Sequence, residues 1–341
     1  MIFLGDSISQ NALKTATMYQ FKAVMKGSLE FGNRKSYDMM LTHFQKRLES
    51  YYKNDILLKD PDFFQEETLS ITVPRQQVAC SEKTWKNTAF LLRELRGFAV
   101  AGEFHIWVTD EKNSLCGEEM IVPQGDKVAT TDYLRGVEML KKGGREDEAI
   151  ELFNKAIEKY DRYSQAYERR GMAYFRSGRN EDAIIDFSKS IALCKNAPAF
   201  LGRGRVKMEM NDLEGALEDF QNSIDNAVPY QPVFWTARRI KGECHMKMND
   251  FEKAIFELKL VTKRPFKETD PNFNYRKQAW QSFGQALLNK GVAVEAAAAF
   301  REALSIENCS VVENLLNSVN SMIVVSKPKS SKPSPLSVSL N

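Results

Sequence analysis

The sequence predicts a two-part fold: an α+β domain over residues 1–125, then an all-α solenoid of five stacked helical hairpins over 131–308, a capping helix at 309–324 and a disordered tail at 325–341. Three observations carry this reading. From about 131 onward a small residue, an alanine and an aromatic recur with alanine spacings of 34, 33, 38 and 42 residues. The first 125 residues show no such period and alternate between strand-like and helical patterns. A chain of 341 residues, 43% hydrophobic and 27% charged, suffices for roughly two globular domains.

In the N-terminal part, Phe21 to Phe31 reads as a strand, Tyr37 to Tyr52 as an amphipathic helix and Thr68 to Val73 as an alternating strand. Ser81-Glu-Lys-Thr has the composition of a helix start, opening a helix that runs to about Arg96. Glu103 to Val108 closes as another strand. One small sheet backed by two helices follows, with its strand order undetermined.

In the second part, Gly136, Gly171, Gly204, Gly242 and Gly284 are each followed by Ala149, Ala183, Ala216, Ala254 or Ala296. Phe153, Phe187, Phe220, Leu258 or Phe300 comes four residues later. Two antiparallel helices approach closely only where a tiny residue on one faces the other, so these positions mark helix contacts. Tyr167, Phe200 and Trp280 supply bulk on the flanks, and Phe187, Phe220 and Phe300 are expected to lock one hairpin onto the next. Ser177-Gly178-Arg179-Asn180, Met210-Asn211-Asp212 and Met248-Asn249-Asp250 are turn signals within hairpins. Val312, Leu315, Leu316, Val319, Met322 and Ile323 recur at helical spacing, as a terminal cap requires. Beyond them, a Lys-, Ser- and Pro-rich stretch from Lys327 to Pro335 lacks apolar residues.

These motifs, best seen in YERRGMAYFRSGRNEDAIIDFSKSI from Tyr167 to Ile191, resemble the tetratricopeptide repeat (TPR) family over about 131–308. The resemblance implies a right-handed superhelix whose first helices line an inner groove that binds protein partners. The chain departs from the family pattern where the inter-repeat proline is missing from its usual place and where Arg238 replaces the aromatic of the fourth motif. The extra residues of the longer spacings fall in 228–232 and 264–274, outside the paired helices. Inward-facing positions of the family fall here on Arg169, Met172 and Arg176, on Arg205 and Met208, and on Arg239, Met246 and Lys247. The implied groove is basic with an apolar floor, suited to a peptide or protein ligand of acidic or C-terminal character. The competing arrangement pairs these arginines with Glu168, Glu209 and Glu243 on the same helices. Chaperone-tail-binding members of the family use a carboxylate clamp of Lys, Asn and Arg. Tyr133, Val137, Arg169, Pro198 and Gly202 stand at those positions here, so no such clamp is expected.

Charge and composition exclude several other roles. Lys plus Arg number 48 against 45 Asp plus Glu, a formal charge of +3, which gives no strong pull toward nucleic acid or anionic membrane. No run of 18 apolar residues exists, and the first six residues lack both a basic leader and a long apolar stretch. Five scattered cysteines without a C-x-x-C pair argue against a disulfide framework or a zinc site, so a cytoplasmic protein is expected. Phe3-Leu-Gly-Asp-Ser-Ile-Ser9 resembles the nucleophile block of GDS-type esterases, which would make Ser7 the nucleophile. The partner elements for an oxyanion hole and a base are absent, and a serine hydroxyl without them is a poor nucleophile. His43, His105 and His245 have no ligand partner at metal spacing, and no phosphate-binding or dinucleotide loop occurs. No catalytic residue, metal or cofactor is therefore assigned. An alternative makes the N-terminal domain a nucleic-acid-binding or degenerate enzyme module recruited by the repeats, on the strength of Lys22, Phe31, Arg34, Lys83, Trp85 and Lys86.

Overall fold

The computed structural model describes residues 21–123 and 127–326. By internal contacts the chain divides into two compact units, with the division between Gly202 and Arg203. The Gly-Asp-Ser string with Ser7 and the Pro-rich segment from Lys327 lie outside the described residues.

The first unit begins with an antiparallel sheet of five strands, β1 (Phe21–Glu30), β2 (Phe64–Gln65), β3 (Ser70–Cys80), β4 (Ala101–Thr109) and β5 (Leu115–Ile121), ordered β2-β3-β1-β4-β5. Helices α1 (Arg34–Arg47) and α2 (Glu82–Leu95) contribute to one core with the sheet, in which Tyr37, Met40, Leu91 and Leu95 join Met25, Leu29, Phe104 and Ile106. α1 begins three residues earlier than its apolar pattern, because the Asn33 side chain accepts the Ser36 N–H at 2.9 Å and fixes the start. It ends in a π-helical turn, Leu48–Tyr52, stopped by Lys53 in the left-handed region. Ser81 caps α2 as its sequence predicts, accepting the Thr84 N–H at 3.1 Å.

Two strands differ from the pattern reading. β3 runs on through Pro74 to Cys80 because the pairing with β1 shifts register across Met25/Gly27, and the exposed Pro74 sits at that irregularity, where no ladder donor is needed. β5 lies at the sheet edge with exposed Leu115 and Met120, so it lacks the apolar alternation that announces a strand. Gly27 faces the backbone of β4 so closely that a Cβ would lie 2.3 Å from the Glu103 carbonyl oxygen, and its φ of +153° also excludes ordinary side chains.

Ten helices then form five hairpins: α3 (Lys127–Lys142) with α4 (Glu146–Lys159), α5 (Ser164–Arg176) with α6 (Asn180–Leu193), α7 (Ala197–Glu209) with α8 (Leu213–Asp225), α9 (Pro232–Lys247) with α10 (Phe251–Thr262), and α11 (Arg276–Asn289) with α12 (Ala293–Ile306). α13 (Ser310–Ser326) follows and contributes Val312 and Val319 to the core of the last hairpin. The hairpin turns at Gly178, Asn211, Asn249 and Gly291 each use one left-handed residue.

The large residues act differently from their expected role. Phe153, Phe220 and Phe300 pack inside their own hairpins, where a Cβ on Gly136, Gly204 or Gly284 would come within 2.7 Å of the ring. Of the three rings expected to join neighbouring hairpins, Phe187 does reach the next one, against Gly202, as well as Gly171 in its own. The glycine therefore makes room for a ring on the partner helix, and the spacing of 16 or 17 residues is the length of one helix–turn–helix excursion.

Candidate partner-binding site

Within the first unit, the first hairpin and the start of the second meet the sheet. The Tyr160 hydroxyl donates to Glu30 Oε2 at 2.7 Å, and the Gly102 N–H donates to Gln165 Oε1 at 3.3 Å. Ala101 of β4 packs with Ala129, Ala156, Tyr163 and Ala166. Burial pushes the Glu30 carboxyl up, against the lowering effect of Tyr160 and Arg162. Around this contact lies a charged cluster of Lys26, Glu103, His105, Tyr133, Glu168 and Arg169.

Lys26 and His105 are register partners on β1 and β4, and so are Ser28 and Glu103; opposite residues of an antiparallel pair share a face. Burial works to raise Glu103, but His105, 3.3 Å away, together with Arg169 and Lys26, holds it below the usual carboxylate range. Glu168, only 4% exposed, is raised by burial despite Arg169 Nε at 3.1 Å. Burial also lowers Lys26 and pushes Tyr133 up to about 12. Arg169, expected to face a ligand, thus also lies in the field of Glu103 of the protein's own sheet, with its side chain still 41% exposed.

The other predicted residues separate into two classes. Arg176 is exposed but donates to the Leu140 carbonyl at 2.6 Å, capping the end of the preceding hairpin's first helix. Met172 is half-buried. In the second unit, Arg205 and Lys247 are exposed and Met208 is half-buried. Met246 packs against the cluster of Ala254, Leu258 and Ala286. Arg239 is 6% exposed, donates to Glu243 at 2.8 Å and lies over the Tyr275 ring at 4.5 Å. Of the same-helix pairings open to the predicted arginines, Arg169 with Glu168 and Arg239 with Glu243 both form. Arg239 is therefore not an open cation of a groove, whereas the Arg169 side chain stays 41% exposed beside its pair with Glu168. The inner-face register read from the motif places a residue on a helix but cannot say what the facing element brings to it.

A second set of charges escaped the sequence reading. The residue before the small glycine pairs with a buried acid on the second helix in three successive hairpins: Arg170 with Asp186 at 2.7 Å, Arg203 with Asp219 at 2.7 Å and Lys241 with Glu257 at 2.8 Å. The acids are between 1% and 4% exposed. Arg238, where the family pattern has an aromatic, also reaches Glu257, at 2.6 Å, and so serves this same buried carboxylate. A constant spacing of 16 residues between basic and acidic partners was the available signal.

Each histidine has a carboxylate within 4 Å: His43 and Glu94 at 3.2 Å, His105 and Glu103 at 3.3 Å, and His245 and Asp250 at 3.9 Å. A carboxylate two residues away in a strand shares the face of His105, a relation that metal-ligand spacing does not test. Among the described residues no group of three or more His, Cys, Asp or Glu side chains is arranged to hold a metal, and all five cysteines are unpaired. No described helix is long and apolar enough to cross a membrane.

A tetratricopeptide repeat model matches residues 140–198 and 201–267, a range that contains the contacts of Gly171 with Phe187, Gly204 with Phe220 and Gly242 with Leu258, and the ion pairs of the second, third and fourth hairpins. The repeat region of this chain belongs to the tetratricopeptide repeat family. Several solved structures are similar to part of this chain. MamA is 24% identical, covering 52% of this chain and 91% of its own, with a TM-score of 0.43. YrrB, described as a TPR protein with an unusual peptide-binding site, is 19% identical, covering 56% and 92%, with a TM-score of 0.44. PilW, a type IV pilus biogenesis factor, is 18% identical, covering 59% and 88%, with a TM-score of 0.49. No curated protein matches the chain in sequence.

Proposed function

We propose that this TPR protein is a cytoplasmic protein-interaction scaffold whose repeats hold a peptide or protein partner of acidic character. The observation that carries the reading is that Arg205 and Lys247 are exposed at inward-register positions of the third and fourth motifs, with the adaptable, half-buried Met208 at another such position. TPR arrays are interaction modules by construction, because each hairpin leaves one face of its first helix free to touch something else. In this reading the sheet covers the first repeats, through the Tyr160 and Gln165 hydrogen bonds and the apolar contact of Ala101 with Ala166. Five reduced thiols suit the cytoplasm.

The alternative of a nucleic-acid module in the N-terminal domain has less behind it. Phe31 is fully buried, Arg34 is engaged by Asp38 and Glu66, Lys83 by Asp55 and Lys86 by Glu82. Affinity capture with the full chain and with the Arg205→Glu/Lys247→Glu variant tests the scaffold reading. The variant loses the acidic partner at unchanged helicity; identical captured sets from both proteins overturn it.

A further inference from the structure

The loop between α10 and α11 is the longest between hairpins, and it builds something the other connections lack. Its 3₁₀ turn, Pro271–Tyr275, is fastened to α9 by the buried Asn272, whose amide donates to the Pro232 carbonyl at 2.9 Å and whose oxygen accepts from Thr236 at 2.9 Å. The Asp270 carboxylate caps the turn by accepting the Asn272 N–H at 2.8 Å. This loop, α9 and the start of α11 enclose a cavity of about 30 Å³ lined by Arg239, Arg264, Arg276, Tyr275 and Trp280. Among the described residues no carboxylate lines it.

Each of the three guanidinium groups is held in place by an aromatic face: Arg239 over Tyr275 at 4.5 Å, Arg264 over Trp235 at 5.3 Å and Arg276 over Phe273 at 3.5 Å. Stacking fixes the plane of a guanidinium while leaving its N–H edge for acceptors. Arg239 adds a second, independent observation. Its side chain is 8% exposed, one nitrogen is used by Glu243, and its buried Nε–H has no acceptor. A buried charged donor without an acceptor is costly, and an incoming oxygen removes that cost.

We propose that this cavity is an oxyanion site that receives the phosphoryl group of a phosphorylated partner segment. Three guanidinium charges less the Glu243 carboxylate leave a charge that matches a phosphate monoester dianion better than a single carboxylate. The volume admits about two water-sized groups, which suits two phosphoryl oxygens with the rest of the ligand at the rim. The proposal rests on the reading of the repeats as a partner-binding array and names the chemistry one part of that array selects.

The test titrates the full-length protein with O-phosphoserine blocked at both ends, inorganic phosphate and acetate, following the Arg239 Nε–H resonance and the heat of binding. Both phosphates shift the resonance, acetate binds at least tenfold more weakly, and Arg264→Gln/Arg276→Gln lowers phosphate affinity at least tenfold. Blocked phosphoserine binding more tightly than inorganic phosphate supports a peptide-borne group; equal affinities overturn that source. An unmoved Arg239 resonance, or equal affinity in wild type and the double variant, overturns the site. If the site fails while Arg205→Glu/Lys247→Glu still loses its partner, the scaffold reading survives without it. If phosphate binds but that variant keeps its partner, the scaffold reading fails alone.

Discussion

The sheet and the repeats solve the problem of close approach in opposite ways. In the sheet, Gly27 lets two backbones from distant parts of the chain meet, with the Glu103 carbonyl where a side chain would begin. In the repeats, Gly136, Gly204 and Gly284 each admit a ring from the adjacent helix, 16 or 17 residues away. One arrangement is non-local and irreplaceable, because a backbone cannot rotate out of the way. The other is local and repeated, so a defect is confined to a hairpin and its neighbours. The sheet should fail as a whole and the array piece by piece.

The largest effect is expected from Gly27→Val, which forces a branched side chain onto the β4 backbone at a left-handed φ. The N-terminal core should lose on the order of 3 kcal/mol or more, with amide protection falling across all five strands. Protection lost only around Gly27 would break the comparison. Next comes Asp219→Ala, which strands Arg203 and Lys207 without their buried acceptor and should cost about 3 kcal/mol, with exchange accelerated in the third hairpin and its neighbours. The fifth hairpin sharpens this expectation, since Phe283 and Ala299 occupy the corresponding positions. Arg170→Phe/Asp186→Ala should therefore be less destabilised in urea than Asp186→Ala alone.

A smaller effect distinguishes the junction between the sheet and the end of the first hairpin. Burial raises Glu30, so the folded state prefers its protonated form. Its favourable contribution is present below the unfolded value near 4.5 and is lost as pH rises through the higher folded value. Glu30→Gln should melt with the wild type at pH 4 and a few degrees above it at pH 7. Equal melting midpoints at both pH values would remove the carboxyl from the junction's energetics. The smallest effect is expected from Glu148→Ala, which breaks the exposed Arg145 pair at 2.7 Å and should leave the melting midpoint unmoved.

The same contrast explains what could be read in advance. The hairpins were legible because each glycine–aromatic contact closes within one excursion of chain, and the period survives even the long spacings before Ala254 and Ala296. β5 was not, since an edge strand with exposed Leu115 and Met120 carries no pattern to find. Among the site residues, the positions of Arg205 and Lys247 followed from the motif. The burial of Arg239 did not, because Tyr275 reaches it from a loop 36 residues further on.

Periodicity alone settled the succession of paired helices, since helix contact through a tiny residue is a rule about neighbours in the chain. Tertiary structure alone decided which arginines pair with Glu168 or Glu243 and which gather around one cavity. A charge acquires its role from whatever is brought opposite it, and that depends on residues tens of positions away.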